Sequence, residues 1–178
     1  MTEDAYIPFV EKLAEAMQHK LTAEAAARLG AYVQQVASWN RRVGLIGTRN
    51  AKGQVEILLA DALALTSAQL VPEGASLLDV GSGAGAPALP LLLLRADLQA
   101  ALVESKRKRV AFLRTAAEKL ELGHRVRVLE QRLDPSKPHV AGMPFDVAMA
   151  RATFPPEVWV SAGLRLARRI LLFTARER

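Results

Sequence analysis

The 178-residue chain has no cysteine, which excludes disulfides, thiolate metal sites and cysteine nucleophiles. Its three histidines, His19, His124 and His139, are scattered and read as surface residues. No Ser/His/Asp arrangement and no metal-ligand constellation stands in the sequence, so neither a hydrolytic triad nor a bound metal is expected. Long apolar runs are missing too. The longest, Ala88 to Leu94, contains Pro90 and falls far short of the ~20 residues a membrane-spanning helix needs. No basic start leads into an apolar segment, so no signal peptide is visible. A cytoplasmic location without a membrane partner is the expectation. Internal repeats and low-complexity tracts are also lacking.

What is present points to one globular unit of ordinary domain size. Half of the residues, 51%, are hydrophobic, too many for a disordered chain. Lysine and arginine number 24 against 18 acidic residues, a net charge of +6. The resulting isoelectric point near 10.1 favours a polyanionic partner such as RNA.

Residues 1–70 are alanine-rich and helical in period. Phe9, Val10, Leu13 and Met17 recur at helix spacing. Thr22 is placed to cap a second helix with Glu24 in its first turn, and Leu29, Tyr32, Val33 and Val36 carry its apolar face. A third helix is predicted over about Gln54 to Leu70. Between them, Arg41 to Gly53 holds three glycines and four basic side chains and reads as a loop. From residue 71 on, strands and helices alternate. Strands are predicted near 76–80, 100–104, 126–130, 145–150 and 169–174, and helices near 87–95, 106–122 and 156–168. That βαβ alternation implies an α/β fold with a mostly parallel sheet covered on both faces. Asp134 to Pro144, with three prolines and a glycine, reads as a loop at the sheet's edge.

The chemistry concentrates in Leu77-Leu78-Asp79-Val80-Gly81-Ser82-Gly83-Ala84-Gly85-Ala86-Pro87. A buried strand runs into a glycine-rich loop, and Pro87 suits the first turn of a helix. In open α/β sheets such a loop, at a strand's carboxyl end, holds nucleotide-like cofactors. Gly81, Gly83, Gly85 and Ala86 fit both a dinucleotide fingerprint and the G-x-G-x-G loop of S-adenosylmethionine (SAM) enzymes. Asp79 discriminates. A carboxylate there repels the pyrophosphate of a dinucleotide but suits SAM, which carries an ammonium and a sulfonium and no phosphate. About twenty residues further on, Ala100 to Val103 forms a short apolar run ending in Glu104, placed to accept hydrogen bonds from a ribose diol. Lys106, Arg107, Lys108 and Arg109 form the densest basic run, at the start of the next helix. There they oppose the helix dipole; an RNA phosphate would relieve this, and the other reading is a solvated face whose lysines pair with Glu104 or Asp97. Trp159 and Phe154 follow Arg151 and are candidates either for base stacking or for the core.

These segments, in order, resemble the RsmG (GidB) family, the guanine-N7 methyltransferases of bacterial small-subunit (16S) ribosomal RNA. Trp39-Asn40, Asp79 to Pro87 followed by Ala88-Leu89-Pro90, Val103-Glu104-Ser105, Lys108 to Arg114, Phe145-Asp146-Val147 and Ala150-Arg151-Ala152 carry the likeness, from about residue 30 to 155. The resemblance implies a Rossmann-like SAM-dependent methyltransferase core over 71–178, with a helical extension over 1–70. It implies SAM as cofactor, and ribosomal RNA or the small ribosomal subunit as partner. It implies cofactor contacts at Gly81 and Ala86, an adenine contact at Leu133-Asp134, the ribose ligand at Glu104, and a catalytic, cofactor-binding arginine at Arg151. Three places depart from the family pattern. Ala88 stands for a glycine, Gly44-Leu45-Ile46 for an N-L-T pattern, and Ala60-Asp61-Ala62 for a histidine followed by an aspartate. The sheet is expected to be shortened at its C-terminal side, where the chain ends soon after Leu171-Leu172-Phe173-Thr174.

Guanine N7 has a free lone pair and no proton to remove. Methyl transfer to it therefore needs proximity and orientation rather than a general base, in keeping with the missing triad. Two other readings remain open at this point: a SAM- or RNA-binding relative without activity, and an NAD-dependent oxidoreductase.

Overall fold

A computed structural model describes residues 3–173; the expected strand residue Thr174 lies outside them. After a short 3-10 turn at Glu3–Ala5, three helices follow: α1 (Ile7–Ala16), α2 (Ala23–Val43) and α3 (Ala51–Ala64). Thr22 caps α2 through its hydroxyl, which accepts from the Ala25 amide at 3.1 Å, and Glu24 sits in the first turn.

The expected loop over Arg41 to Gly53 is shorter than its composition indicates. α2 runs on to Val43 and stops at Gly44, whose φ of 64° is the left-handed cap conformation. Arg41 and Arg42 therefore lie in its last turn, where cations favour the helix dipole. Gly53 does not break the chain. It lies in the first turn of α3, where its amide donates to the Asn50 side chain at 2.7 Å. That cap starts α3 at Ala51, and the helix ends at Ala64 rather than near Leu70. The following linker is pinned by Arg95, whose guanidinium donates to the carbonyls of Thr66, Val71 and Pro72.

Five strands form one sheet: β1 (Ser76–Val80), β2 (Gln99–Glu104), β3 (Val126–Glu130), β4 (Phe145–Ala150) and β5 (Ala167–Leu172). Their order is β3-β2-β1-β4-β5, and every pair is parallel. Helices α4 (Ala88–Leu94), α5 (Arg107–Lys119) and α6 (Pro156–Gly163) connect them. The chain winds outward from β1 through β2 to β3, then returns to β4 on β1's other side. The reversal leaves a crevice at the carboxyl ends of β1 and β4.

Strand alternation sorts the core. Leu77, Ala100, Leu102, Val147 and Met149 face one side, in one apolar cluster with α1 to α5. Leu78, Val80, Ala101, Val103 and Ala148 face the other, with Trp159 of α6, Leu133 and Val140. The N-terminal helices thus share a core with the sheet. Trp159 is buried, donates its indole N–H to the Leu171 carbonyl at 3.0 Å, and has Phe154 stacked on it at 6.2 Å. Trp159 is thereby committed to the core, with the partly buried Phe154 packed against it.

α6 and β5 also correct the expected boundaries of 156–168 and 169–174. The helix stops at Gly163, and a tight turn, with Leu166 N–H donating to the Gly163 carbonyl at 2.9 Å, starts the strand at Ala167.

Candidate functional site

The glycine loop grows directly out of β1. The amides of Gly81 and Ser82 both donate to the Val103 carbonyl of β2, at 2.8 and 3.2 Å, so the loop folds over the neighbouring strand end. Gly81 has φ +76°, and a Cβ there would collide with the Thr153 side chain. Gly85, at φ +80°, leaves room for Leu89, which a Cβ would meet at 2.5 Å. The loop's far side is held by α2: the buried Tyr32 hydroxyl donates to the Ala84 carbonyl at 2.8 Å. Burial pushes that hydroxyl's pKa upward. Pro87 is the N-cap of α4, which begins at Ala88.

Two carboxylates end adjacent parallel strands beneath this loop, and they are treated differently. Glu104 accepts from the Gly83 amide at 3.0 Å and the Lys106 amide at 2.8 Å. It thereby places an anion at the N-terminus of α5, which compensates the dipole that the basic run was expected to oppose. Asp79 is 1% exposed, and its Oδ2 has no hydrogen-bond partner among the described residues. Burial pushes its carboxyl up to about 7; the neighbouring Ser82 hydroxyl and, after it, the charge on Arg151 oppose the rise, and the charge on Glu104 adds to it. A buried carboxylate oxygen without a partner is costly and marks a place where a donor or cation is wanted.

Opposite the loop stand Leu45, Ile46 and Ile57, from the α2–α3 region, and Arg151 and Thr153 after β4. With the glycine loop and Glu104 they line a cleft of about 730 Å³. Arg151 reaches back to α3, donating to the Ile57 carbonyl at 2.7 Å and to Asp61 at 3.0 Å. Thr153 donates to the Val80 carbonyl at 3.0 Å.

The structure therefore brings Gly81, Gly83, Ala86, Glu104, Lys106, Arg109 and Arg151 to one cleft, with Asp79 buried at the end of β1 and Gly85 in the turn behind it. It does not bring the expected adenine pair there. Leu133 is buried in the second apolar cluster, and Asp134 accepts from the amide and hydroxyl of Ser136 at 2.9 and 2.7 Å. The basic run divides as well: Lys106, Arg107 and Lys108 are exposed, while Arg109 turns inward. Tyr32, Asp61 and Thr153 were not expected at the site. A tyrosine within an otherwise aliphatic helix face is the one signal that could have marked Tyr32.

A parallel sheet of this order, with a glycine loop after β1 and a carboxylate ending β2, defines a Rossmann-like methyltransferase fold. Solved structures agree. A SAM-dependent methyltransferase from Thiobacillus denitrificans, in complex with S-adenosyl-L-homocysteine, superposes with a TM-score of 0.53 at 16% identity over 61% of this chain and 44% of that one. The [4+2]-cyclase SpnF superposes at 0.51, with 20% identity over 81% of this chain and 56% of that one. This chain thus spans less than two thirds of either structure, and a cyclase among them means that the fold alone does not name the reaction.

Sequence is more specific. Residues 25–175 match the family described as "GidB: rRNA small subunit methyltransferase G". The "Ribosomal RNA small subunit methyltransferase G" of Alkalilimnicola ehrlichii is 37% identical over 169 residues, 94% of this chain and 73% of that protein. The chain belongs to the rRNA small subunit methyltransferase G family.

Proposed function

We propose that this chain is a SAM-dependent methyltransferase that moves a methyl group to N7 of a guanine in small-subunit ribosomal RNA, working in the bacterial cytoplasm. The observation that carries this reading is the pair of strand-end carboxylates, one satisfied and one not, under a glycine loop in a chain of this family. The buried, unpartnered Oδ2 of Asp79 suits the cationic methionine end of SAM and is wrong for a dinucleotide's pyrophosphate. That argues against the oxidoreductase alternative.

When bound, SAM supplies an electrophilic methyl group on a sulfonium. Asp79 would answer its positive end, Glu104 would hold its ribose hydroxyls, and the Gly81–Ala86 loop would lie against it. Arg151, tethered to α3, faces the same cleft and orients the guanine or its phosphate. In-line attack by the purine lone pair would need no proton removed, so the side chains would act by positioning. Lys106, on the cleft lining, Lys108, exposed on α5, and Arg41 and Arg42 at the end of α2 supply phosphate contacts that give affinity without sequence choice.

Calorimetric titration with S-adenosylhomocysteine and with NAD, followed by transfer of labelled methyl to small-subunit RNA, tests the proposal. Binding of the homocysteine analogue and label in RNA are expected. NAD binding without a response to the analogue sinks the reading, and analogue binding without methyl transfer marks a relative that has lost activity.

A further inference from the structure

Arg109 belongs by sequence to the basic run, yet its surroundings differ from those of its neighbours. Lys106, Arg107 and Lys108 are exposed, whereas the Arg109 side chain is only 27% exposed. Its guanidinium lies over the glycine loop, with Nη1 3.7 Å from where a Cβ on Gly83 would stand and 4.0 Å from Glu104 Oε2. Nη2 donates across the cleft to the Gly44 carbonyl at 3.1 Å. Nε is buried with no hydrogen-bond partner among the described residues. A phosphate approaching this group would meet a guanidinium already bonded to the Gly44 carbonyl and lying within ionic reach of Glu104.

The segment that Arg109 reaches is itself built. Asn40, in the last turn of α2, accepts the amides of Leu45 and Ile46 on its Oδ1 at 2.6 and 2.9 Å and returns a bond from Nδ2 to the Ile46 carbonyl at 2.9 Å. Gly44 to Ile46 is thus gripped from α2 on one side and from α5 on the other, and Leu45 and Ile46 form the cleft wall opposite the glycine loop. With its own left-handed glycine, such a segment would otherwise sample many conformations.

We propose that Arg109 is a positioning residue and not an RNA contact: a strut that ties the ribose carboxylate Glu104 to the Gly44–Ile46 wall, with Asn40 as the wall's second anchor. The wall's part in holding a substrate base rests on the function proposed above; the strut itself does not. Arginine is required because one planar fork must address a carboxylate and a carbonyl in different directions, which a lysine ammonium on a flexible stem does not do.

The test compares wild type, Arg109→Gln, Arg109→Lys, Asn40→Ala and Lys108→Gln in the full chain. In ligand-free protein, amide exchange at Leu45 and Ile46 is expected to quicken about tenfold or more in both Arg109 variants and in Asn40→Ala, as for loss of one hydrogen bond to a charged group or anchor. Exchange in β1 and in Lys108→Gln stays as in wild type. The salt dependence of small-subunit RNA binding falls by about one in slope for Lys108→Gln and is unchanged for Arg109→Gln. Unchanged exchange at Leu45 and Ile46 in Arg109→Gln overturns the strut. So does a salt slope lowered as in Lys108→Gln, or full recovery of exchange protection in Arg109→Lys. Failure of wild type to bind S-adenosylhomocysteine would instead overturn the proposed cofactor, and the exchange data would still judge the strut.

Discussion

The floor and the rim of the cleft are held by different physics. The floor is backbone against buried carboxylate and carbonyl: Glu104 takes the Gly83 and Lys106 amides, and the Val103 carbonyl takes those of Gly81 and Ser82. The rim is arginine against carbonyl and partly exposed carboxylate: Arg151 to Ile57 and Asp61, Arg109 to Gly44. Buried bonds of the first kind are expensive to leave unmade, while part-exposed ion pairs contribute little to stability. On the function proposed above, the floor is expected to set whether a ligand binds and the rim how it is presented.

The largest effect that would confirm this division is at Gly81. Gly81→Ala places a Cβ into Thr153 at a φ of +76°, a strain on the order of 1–3 kcal/mol before the collision is counted. Loss of S-adenosylhomocysteine binding by about a hundredfold or more is expected by titration, since roughly 2.7 kcal/mol corresponds to that factor. Adding Thr153→Ala removes the collision but not the backbone strain, and should return only part of the affinity. Normal binding by Gly81→Ala alone would mean that the loop is not the floor.

Asp79 gives the second test. Its folded pKa of about 7 lies above the ordinary 3.8 because of burial. The folded chain therefore holds a proton that the unfolded chain releases, and stability falls as pH rises from about 4 through about 7. Asp79→Asn removes that dependence. The variant should be more stable than wild type at about pH 8, by something on the order of a few kcal/mol, while binding S-adenosylhomocysteine more weakly. Urea unfolding of both proteins across that pH range measures it. A wild type that is the more stable at about pH 8 would show the carboxylate to be compensated in the free protein. A more stable Asp79→Asn variant would instead mean stability given up for a binding site.

The rim predicts the opposite signature. Asp61→Asn weakens the hold on Arg151, whose side chain is 26% exposed against 37% for Asp61. Stability should change by less than about 1 kcal/mol. Methyl transfer should fall several-fold in kcat, with S-adenosylhomocysteine affinity nearly unchanged, and Asp61→Glu should recover part of the rate. A large loss of cofactor affinity would place Arg151 on the floor instead.

How far the sequence foretold this follows the same division. The floor lies within short stretches of chain: β1, the glycine loop and the end of β2 are contiguous apolar runs closed by glycine or a carboxylate, and their limits were legible. The rim is assembled from residues far apart in sequence. Arg151 meets Asp61 across 90 residues, and Arg109 meets Gly44 across 65; no local pattern carries such pairings. Gly53 misled because a glycine reads as a breaker where the helix used its amide for a cap. Leu133-Asp134, assigned through resemblance, divides between the second apolar cluster and a turn of its own, where Asp134 accepts from Ser136. Leu164, 59% exposed, continues the helical period of α6 past its true end, which obscured the start of β5.

The smallest predicted effect lies away from the cleft, where an ion pair has a purely structural task. Asp97 is engaged by both the Nε and Nη2 of Arg95, at 2.8 and 2.6 Å, and by the Gly74 amide at 2.9 Å. The Arg95 hydrogen bonds hold its carboxyl well below the usual range. A depressed folded pKa means that the stabilisation is present above the unfolded value of 3.8 and is lost as pH falls through the folded one. Asp97 is 36% exposed, so solvent screening reduces the effect to about 0.5–1 kcal/mol. Asp97→Asn should lower stability by that amount above about pH 5 and by progressively less as pH falls from 3.8 toward about 2, with S-adenosylhomocysteine affinity unaltered. Chemical denaturation at the two pH values reads the first part and calorimetry the second. A change in ligand affinity would mean that the linker after α3, which Arg95 pins at Thr66, Val71 and Pro72, transmits strain along α3 to Ile57 and the rim. The division between floor and rim would then extend further into the fold than the cleft itself.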